Sequence, residues 1–265
     1  MRTKTYNNPP LSRRELALVS TWERERRSRI RLGELRSTVG AVAPSVAHRL
    51  ARKGVLQRIG RGIYLIRPVR LLARPSSGSA AAALAALFED KPYYLGGLWA
   101  LSLHRLTTQA HLSNIDVFAP QRGRTRQILN ARVTFHALPK TSFSFGVRDV
   151  QMEGANIRVS DPERTVLDLL DHPAAAGGTR RTVRLAASAL PRLNRKTLIQ
   201  YAAQWGRTST CQRLGVLLER AGARGNALRP LMQRAAETKS LLSLIADAPR
   251  AGRVNARWRI VENDR

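Results

Sequence analysis

The sequence predicts an α+β protein: an amino-terminal winged helix-turn-helix, then a larger mixed α/β domain with a helical carboxyl-terminal half. Three observations carry that prediction. Residues 31–66 read as two short helices followed by a basic hairpin that closes on Arg61-Gly62-Ile63-Tyr64. The chain holds 46 Lys+Arg against 18 Asp+Glu, a formal charge of +28, and so positive a balance points to a polyanionic partner, because phosphate attraction supplies much of the affinity for DNA. Past residue 80, helical segments, short strands and further helices follow one another, the order of an α+β domain.

At 265 residues the chain is long enough for two domains, each with its own core. The boundaries read as 1–70 for the DNA-binding module, 71–79 for a linker and 80–265 for the larger domain. Residues 67–79 contain two prolines, one glycine and three serines, a connecting composition. Residues 1–70 carry 17 Lys+Arg against 4 Asp+Glu and the remainder 29 against 14, so charge is densest in the first segment. Hydrophobic residues make up 43% and aromatics 5%, which is a globular composition. The single cysteine, Cys211, excludes an intramolecular disulfide and a cysteine-based metal site. The start MRTKTYNNPP has no apolar stretch behind it, and the longest bland run, 80–88, falls short of the roughly 20 residues that cross a bilayer. The expectation is a cytoplasmic protein with no membrane partner, no cofactor and no metal.

The elements follow in order. Residues 11–30 read as a first helix, with Ser12 as N-cap and Glu15 completing a capping box. Leu16, Val19, Trp22 and Ile30 form its inward stripe. A second helix covers 31–38 and ends at Gly40. A third covers 43–53, with Pro44 in its first turn and Val46, Ala47 and Leu50 packing inward. Residues 56–59 and 63–66 are the hairpin strands, and the glycines at 60 and 62 permit the tight turn between them.

In such a module the second helix of the pair enters the major groove, and arginine is shaped for bidentate contact with guanine or phosphate. The candidate DNA-binding residues are therefore Ser45, His48, Arg49, Arg52 and Lys53 on the third helix, with Arg58 and Arg61 on the wing. Tyr64 reads as an aromatic that anchors the wing to the core.

In the larger domain, helices are expected over 80–88 and 92–106, the latter entered through Gly96-Gly97. Strands are expected over 115–118, 133–136, 143–150 and 157–160. At Ser160-Asp161-Pro162-Glu163, Asp161 is the N-cap and Pro162 the first residue of a helix whose apolar face is Val166, Leu167 and Leu170. Capping explains Asp161 and Glu163 better than a carboxylate active site built with Asp168 and Asp171. Further helices are expected over 182–190, 196–205 and 209–221.

With these segments placed, the chain resembles the AbiEi family of antitoxin-type transcriptional regulators from type IV toxin–antitoxin systems. The carrying stretches are the winged module ending Gly60-Arg61-Gly62-Ile63-Tyr64, residues 94–106 (YLGGLWALSLHRL), residues 159–170 (VSDPERTVLDLL), residues 213–219 (RLGVLLE) and residues 257–263 (RWRIVEN). Their order spans nearly the whole chain. The resemblance implies a repressor of its own operon that binds repeated upstream sites on double-stranded DNA, two protomers meeting the half-sites. It also implies an antitoxin to a nucleotidyltransferase-like toxin, countered through the carboxyl-terminal domain without an obligatory stable complex. A direct complex with the toxin stays open. The chain departs from the family in its longer, arginine-rich first helix, which could extend the DNA footprint or pair protomers.

The contrasting expectation is a nucleic-acid-processing enzyme with a catalytic larger domain. His104, His111, His136 and His172 are scattered, and neither H-E-x-x-H nor a phosphate-binding G-x-x-x-x-G-K-[ST] pattern occurs. The sequence therefore favours a protein that is not an enzyme.

Overall fold

The computed structural model describes residues 10–67, 69, 79–111, 113–152, 155–205 and 207–264, and the chain is a mixed α+β protein. It divides into two compact units. One comprises Met1–Lys91 with Gln127–Ala131 and Val150–Ile157, the other Pro92–Arg126 with Arg132–Asp149 and Arg158–Arg265.

The first helix, α1 (Arg13–Arg24), starts as its sequence requires. Ser12 Oγ accepts the Glu15 N–H at 3.3 Å and Glu15 Oε2 accepts the Ser12 N–H at 2.9 Å, so two otherwise orphaned donors are satisfied. The helix stops well short of residue 30. Arg26 takes φ 53°, outside helical space, and the chain turns into a strand, β1 (Arg29–Arg31). Next come α2 (Leu32–Val39), a 3-10 turn (Gly40–Val42), α3 (Ala43–Arg52), β2 (Leu56–Gly60) and β3 (Ile63–Ile66).

The three strands form one antiparallel sheet in the order β1-β3-β2, with Ile30 opposite Tyr64 and Arg58 opposite Tyr64 on the other flank. Ile30 is thus inward, as expected, but from a strand whose partner lies 34 residues on. That pairing is invisible to helical periodicity. Leu16 is not inward: it is 49% exposed, and Val19 and Trp22 make the α1 contact with Leu18 half-buried beside them. They meet Ile30, Leu35, Val46, Ala47, Leu50 and Val55 in a continuous core, apolar burial being the main force that holds three short helices to three short strands.

The helix α4 (Ala80–Leu87) begins at Ser79, whose Oγ accepts the Ala82 N–H. Of the expected linker, residues 71–78 lie outside the described residues. By packing, residues 80–91 group with the amino-terminal unit. Arg29 donates to the Ala86 carbonyl at 2.9 Å and pairs with Glu89 at 3.0 Å and with Asp90, which fastens the end of α4 to β1.

The remaining elements are β4 (Tyr94–Gly96), α5 (Gly97–Leu103), β5 (Asn114–Ala119), β6 (Arg126–Ile128), β7 (Ala131–Ala137), β8 (Val147–Met152), β9 (Ala155–Ser160), α6 (Pro162–Asp171), α7 (Thr179–Ala189), α8 (Arg195–Trp205), α9 (Thr208–Arg220), α10 (Arg229–Ala236), β10 (Leu242–Ser243), β11 (Arg253–Asn255) and β12 (Ile260–Glu262). A six-stranded mixed sheet has the order β6-β7-β5-β4-β9-β8. There β4 is antiparallel to β5 and parallel to β9, and β5 is parallel to β7. The last three strands form a small sheet in the order β10-β12-β11.

Two expectations are corrected here. The stretch 92–106 is a strand followed by a short helix, not one helix: Tyr94, Leu95 and Gly96 are all buried between β5 and β9, where an apolar run suits a central strand. The stretch 143–150 is not one strand, because a 3-10 turn (Lys140–Phe143) precedes it and pairing begins only at Val147. The helical core gathers Val166, Leu167 and Leu170 of α6 with Leu214 and Leu218 of α9 and the fully buried Trp258. Cys211 is buried in it as a free thiol, its pKa pushed up to about 11 by that burial.

Candidate nucleic-acid interface

The helix α3 divides its residues between two faces. Ala43, Val46, Ala47 and Leu50 are buried at helical spacing, while Ser45, His48, Arg49 and Arg52 are exposed. Pro44 in the first turn removes an N–H that no helical carbonyl could have reached. Lys53 is the C-cap, one residue past the helix.

Behind this face is a carboxylate that the sequence presented only as a cap. Glu15 is 4% exposed and receives Lys53 Nζ at 2.6 Å and Arg49 Nε at 3.4 Å. Burial raises its pKa, but the hydrogen bonds from Lys53 and from Ser12 outweigh it and bring the group down to about 2. Lys53 also donates to the Pro10 carbonyl at 2.9 Å and keeps only 16% of its side chain exposed. Its ammonium therefore ties α3 to α1. Arg49 uses one edge of its guanidinium on Glu15 and leaves 54% of the side chain exposed. Among the described residues no hydrogen bond or ion pair engages the side chain of Ser45, His48 or Arg52. One signal pointed to Glu15 as more than a cap: residues 15, 19 and 22 share one helical face.

The hairpin β2–β3 carries the other two candidates. Gly62 has φ 66°, a conformation open to glycine at little cost, and its carbonyl accepts the Leu32 N–H at 2.7 Å. That bond fastens the turn to the start of α2. The register shifts between Arg58 and Gly60, a bulge that adds twist to the ribbon. Arg58 is exposed and folds its Nε back on the Gly60 carbonyl at 3.3 Å; Arg61 is exposed at the tip. Tyr64 is half-buried against the core of the unit.

Charge around these residues is one-sided. From residue 35 to residue 88 the sequence has no Asp or Glu, against nine Lys+Arg. Arg27 pairs with Glu34 at 2.8 Å, and Glu89 and Asp90 pair with Arg29. These carboxylates are thus held by α1–β1 arginines, and Glu15 is the carboxylate that contacts α3.

In the larger unit each carboxylate of the 161–171 stretch has a partner. Asp161 caps α6 by accepting the Arg164 N–H at 2.7 Å and also accepts the Tyr201 hydroxyl at 2.9 Å. Glu163 accepts the Asn194 N–H at 2.8 Å, and Asp171 pairs with Arg207 at 3.0 Å. Asp168 is fully buried, where it meets Arg164 Nε at 3.2 Å and the Tyr94 hydroxyl at 3.0 Å; burial pushes its pKa up to about 6 while Arg164 pulls against it. His136 Nε2 is 2.7 Å from Asp116, and the His136 and His172 ring centroids are 4.8 Å apart. No group of three or more metal-binding side chains occurs among the described residues, and no helix there is long and apolar enough to cross a membrane.

No family model matches the chain, and no curated protein is similar to it in sequence. Its fold is similar to that of the RV2827C protein from Mycobacterium tuberculosis, with a TM-score of 0.67 at 15% identity over 98% of this chain and 94% of the other.

Proposed function

We propose that the amino-terminal unit is a winged helix-turn-helix and that the chain is a sequence-specific DNA-binding repressor. The carrying observation is the outer face of α3, where Ser45, His48, Arg49 and Arg52 stand exposed over a buried Val46–Ala47–Leu50 face, within 54 residues that lack any carboxylate. In this reading α3 lies in the major groove, α2 and the turn before α3 set its angle, and Arg58 and Arg61 hold the flanking backbone from the wing. Lys53 acts from behind, by fixing α3 against α1 through Glu15.

The resemblance to AbiEi antitoxins extends the proposal. The repressor controls its own operon and counters a nucleotidyltransferase-like toxin, and the larger domain takes no catalytic part. Coexpression with the neighbouring gene tests that arm: restored growth supports it, and an inert neighbour defeats it.

The DNA arm is tested by selecting duplexes from a random pool with the full chain and titrating the enriched sequence. Arg49 touches Glu15, so its replacement should be neutral and that of Arg52 charge-reversing. Arg49→Gln with Arg52→Glu should lose binding to the selected duplex, each guanine contact accounting for about 1–3 kcal/mol. An unchanged titration by a normally folded variant overturns the assignment of α3. A catalytic second reading would rest on Asp116, His136 and His172, and turnover of DNA, RNA or nucleotide by the pure protein would establish it.

A further inference from the structure

A cleft of about 610 Å³ opens within the larger unit between α7, α9 and the residues that follow β10 and β12. That volume falls within the roughly 300–1,000 Å³ of small-molecule sites. Its floor is apolar: Val183, Leu190, Leu217 and Ile245 line it, each at most 5% exposed. The walls are fixed. Arg220 of α9 donates to Asp264 at 2.6 Å and to Glu262 at 3.2 Å, which ties α9 to the end of β12. The Asn263 side chain accepts the Ile245 N–H and donates to the Ile245 carbonyl, both at 2.9 Å. A site already shaped spares a ligand the cost of ordering it.

The charges around the cleft are unequal. Asp264 lines it and is engaged by Arg220. Arg180 and Arg184 also line it, one turn apart on α7, and both are exposed. Among the described residues no hydrogen bond or ion pair engages either side chain. Like charges four residues apart on a helix repel one another. Arg180 stands, moreover, in the first turn of α7, where a cation is disfavoured and no acidic residue offsets it. A bare inorganic anion would relieve that repulsion and leave the apolar floor wet. A neutral apolar molecule would cover the floor and leave the repulsion.

We propose that this cleft binds a small organic carboxylate with an apolar body. Arg180 and Arg184 take the carboxylate, whose two oxygens match the guanidinium fork. Val183, Leu190, Leu217 and Ile245 take the body out of water. The inference is independent of the DNA-binding reading and stands or falls without it.

The experiment titrates the full chain with octanoate as the probe, by isothermal calorimetry. Acetate has the head without the body and octan-1-ol the body without the head, so each should bind at least roughly tenfold more weakly. Arg180→Gln with Arg184→Gln should weaken octanoate by roughly tenfold or more, with the melting temperature unchanged because both side chains are exposed. Ala187 lines the cleft from the same helix and is exposed. Ala187→Trp should therefore fill the space and abolish binding without disturbing the core. Arg122→Gln with Arg124→Gln makes the same charge change on exposed residues outside the cleft and should leave octanoate binding as it was. A chain that binds no octanoate overturns the proposal. So does octan-1-ol binding as tightly as octanoate, or an equal loss in the two arginine pairs, which would show attraction to the net charge alone. Binding that survives both the Arg180/Arg184 pair and Ala187→Trp overturns the assignment to this cleft.

Discussion

Glu15 in the amino-terminal unit and Asp168 in the larger unit are both buried carboxylates met by arginine, and their partners differ. Arg49 and Lys53, which meet Glu15, keep 54% and 16% of their side chains exposed. Arg164, which meets Asp168, keeps none, and its guanidinium is enclosed over the Phe145 ring at 4.2 Å and the Tyr94 ring at 5.3 Å. The first arrangement uses a hidden anion to hold cations at a surface. The second pairs its charges internally through one Asp168 oxygen, leaves the other oxygen without a hydrogen-bond partner, and presents no charge at the surface. Charge that is anchored but uncovered can serve a polyanion; charge enclosed on all sides can serve only the fold.

Breaking the enclosed cluster should have the largest effect. Asp168→Ala leaves the Arg164 charge buried without the carboxylate and removes the acceptor to which the Tyr94 hydroxyl donates. The expected cost is about 3–5 kcal/mol, a fall in melting temperature of roughly 10 °C. Denaturant titration of the full chain checks it. A cost below about 1 kcal/mol would mean that water reaches Arg164, and the contrast with Glu15 would collapse.

The Glu15 clamp should cost less and respond to pH. Glu15→Gln keeps the shape and removes the charge that Lys53 and Arg49 meet, a loss of about 2 kcal/mol. The sign of the pH effect follows from the lowered pKa. The folded state holds Glu15 ionised down to about 2, whereas the unfolded chain protonates it near 4.5. The stabilisation is therefore complete above about pH 5 and is lost as pH falls from 4.5 toward 2. The gap between the parent chain and Glu15→Gln, measured by urea titration from pH 7 to pH 2.5, should close over that window. A gap independent of pH would show that shape, not charge, joins α1 to α3.

How much of this was legible in the sequence follows from the range of each interaction. The faces of α3, the N-cap at Asp161 and the strands around 115–118, 133–136 and 157–160 depend on neighbours within a few residues, and local pattern found them. Strand β1 was missed because two of its three residues are arginine and only β3, across the sheet, makes it a strand. Strand β4 was missed because a fully buried apolar run reads equally as helix. The ion pair of Lys53 was out of reach of local pattern for a similar reason, because its partner Glu15 is 38 residues away. Tyr94 and Asp168 are 74 apart, and no spacing rule joins them.

The two N-caps give the finest comparison of the units. Ser12 accepts one N–H, from Glu15 at 3.3 Å, with its hydroxyl at the surface. Asp161 accepts the Arg164 N–H at 2.7 Å with one oxygen and the Tyr201 hydroxyl at 2.9 Å with the other, so it is charged, shorter and doubly used. Its negative charge also faces the positive end of α6. Ser12→Ala should cost about 1 kcal/mol and Asp161→Ala about 2 kcal/mol. The Asp161 change should also lower the Tyr201 pKa from about 12, since that carboxylate is among the groups that raise it. Ultraviolet titration of the phenolate reads this directly. If Asp161→Ala costs no more than Ser12→Ala, the second hydrogen bond contributes nothing, and what separates the two caps is burial alone.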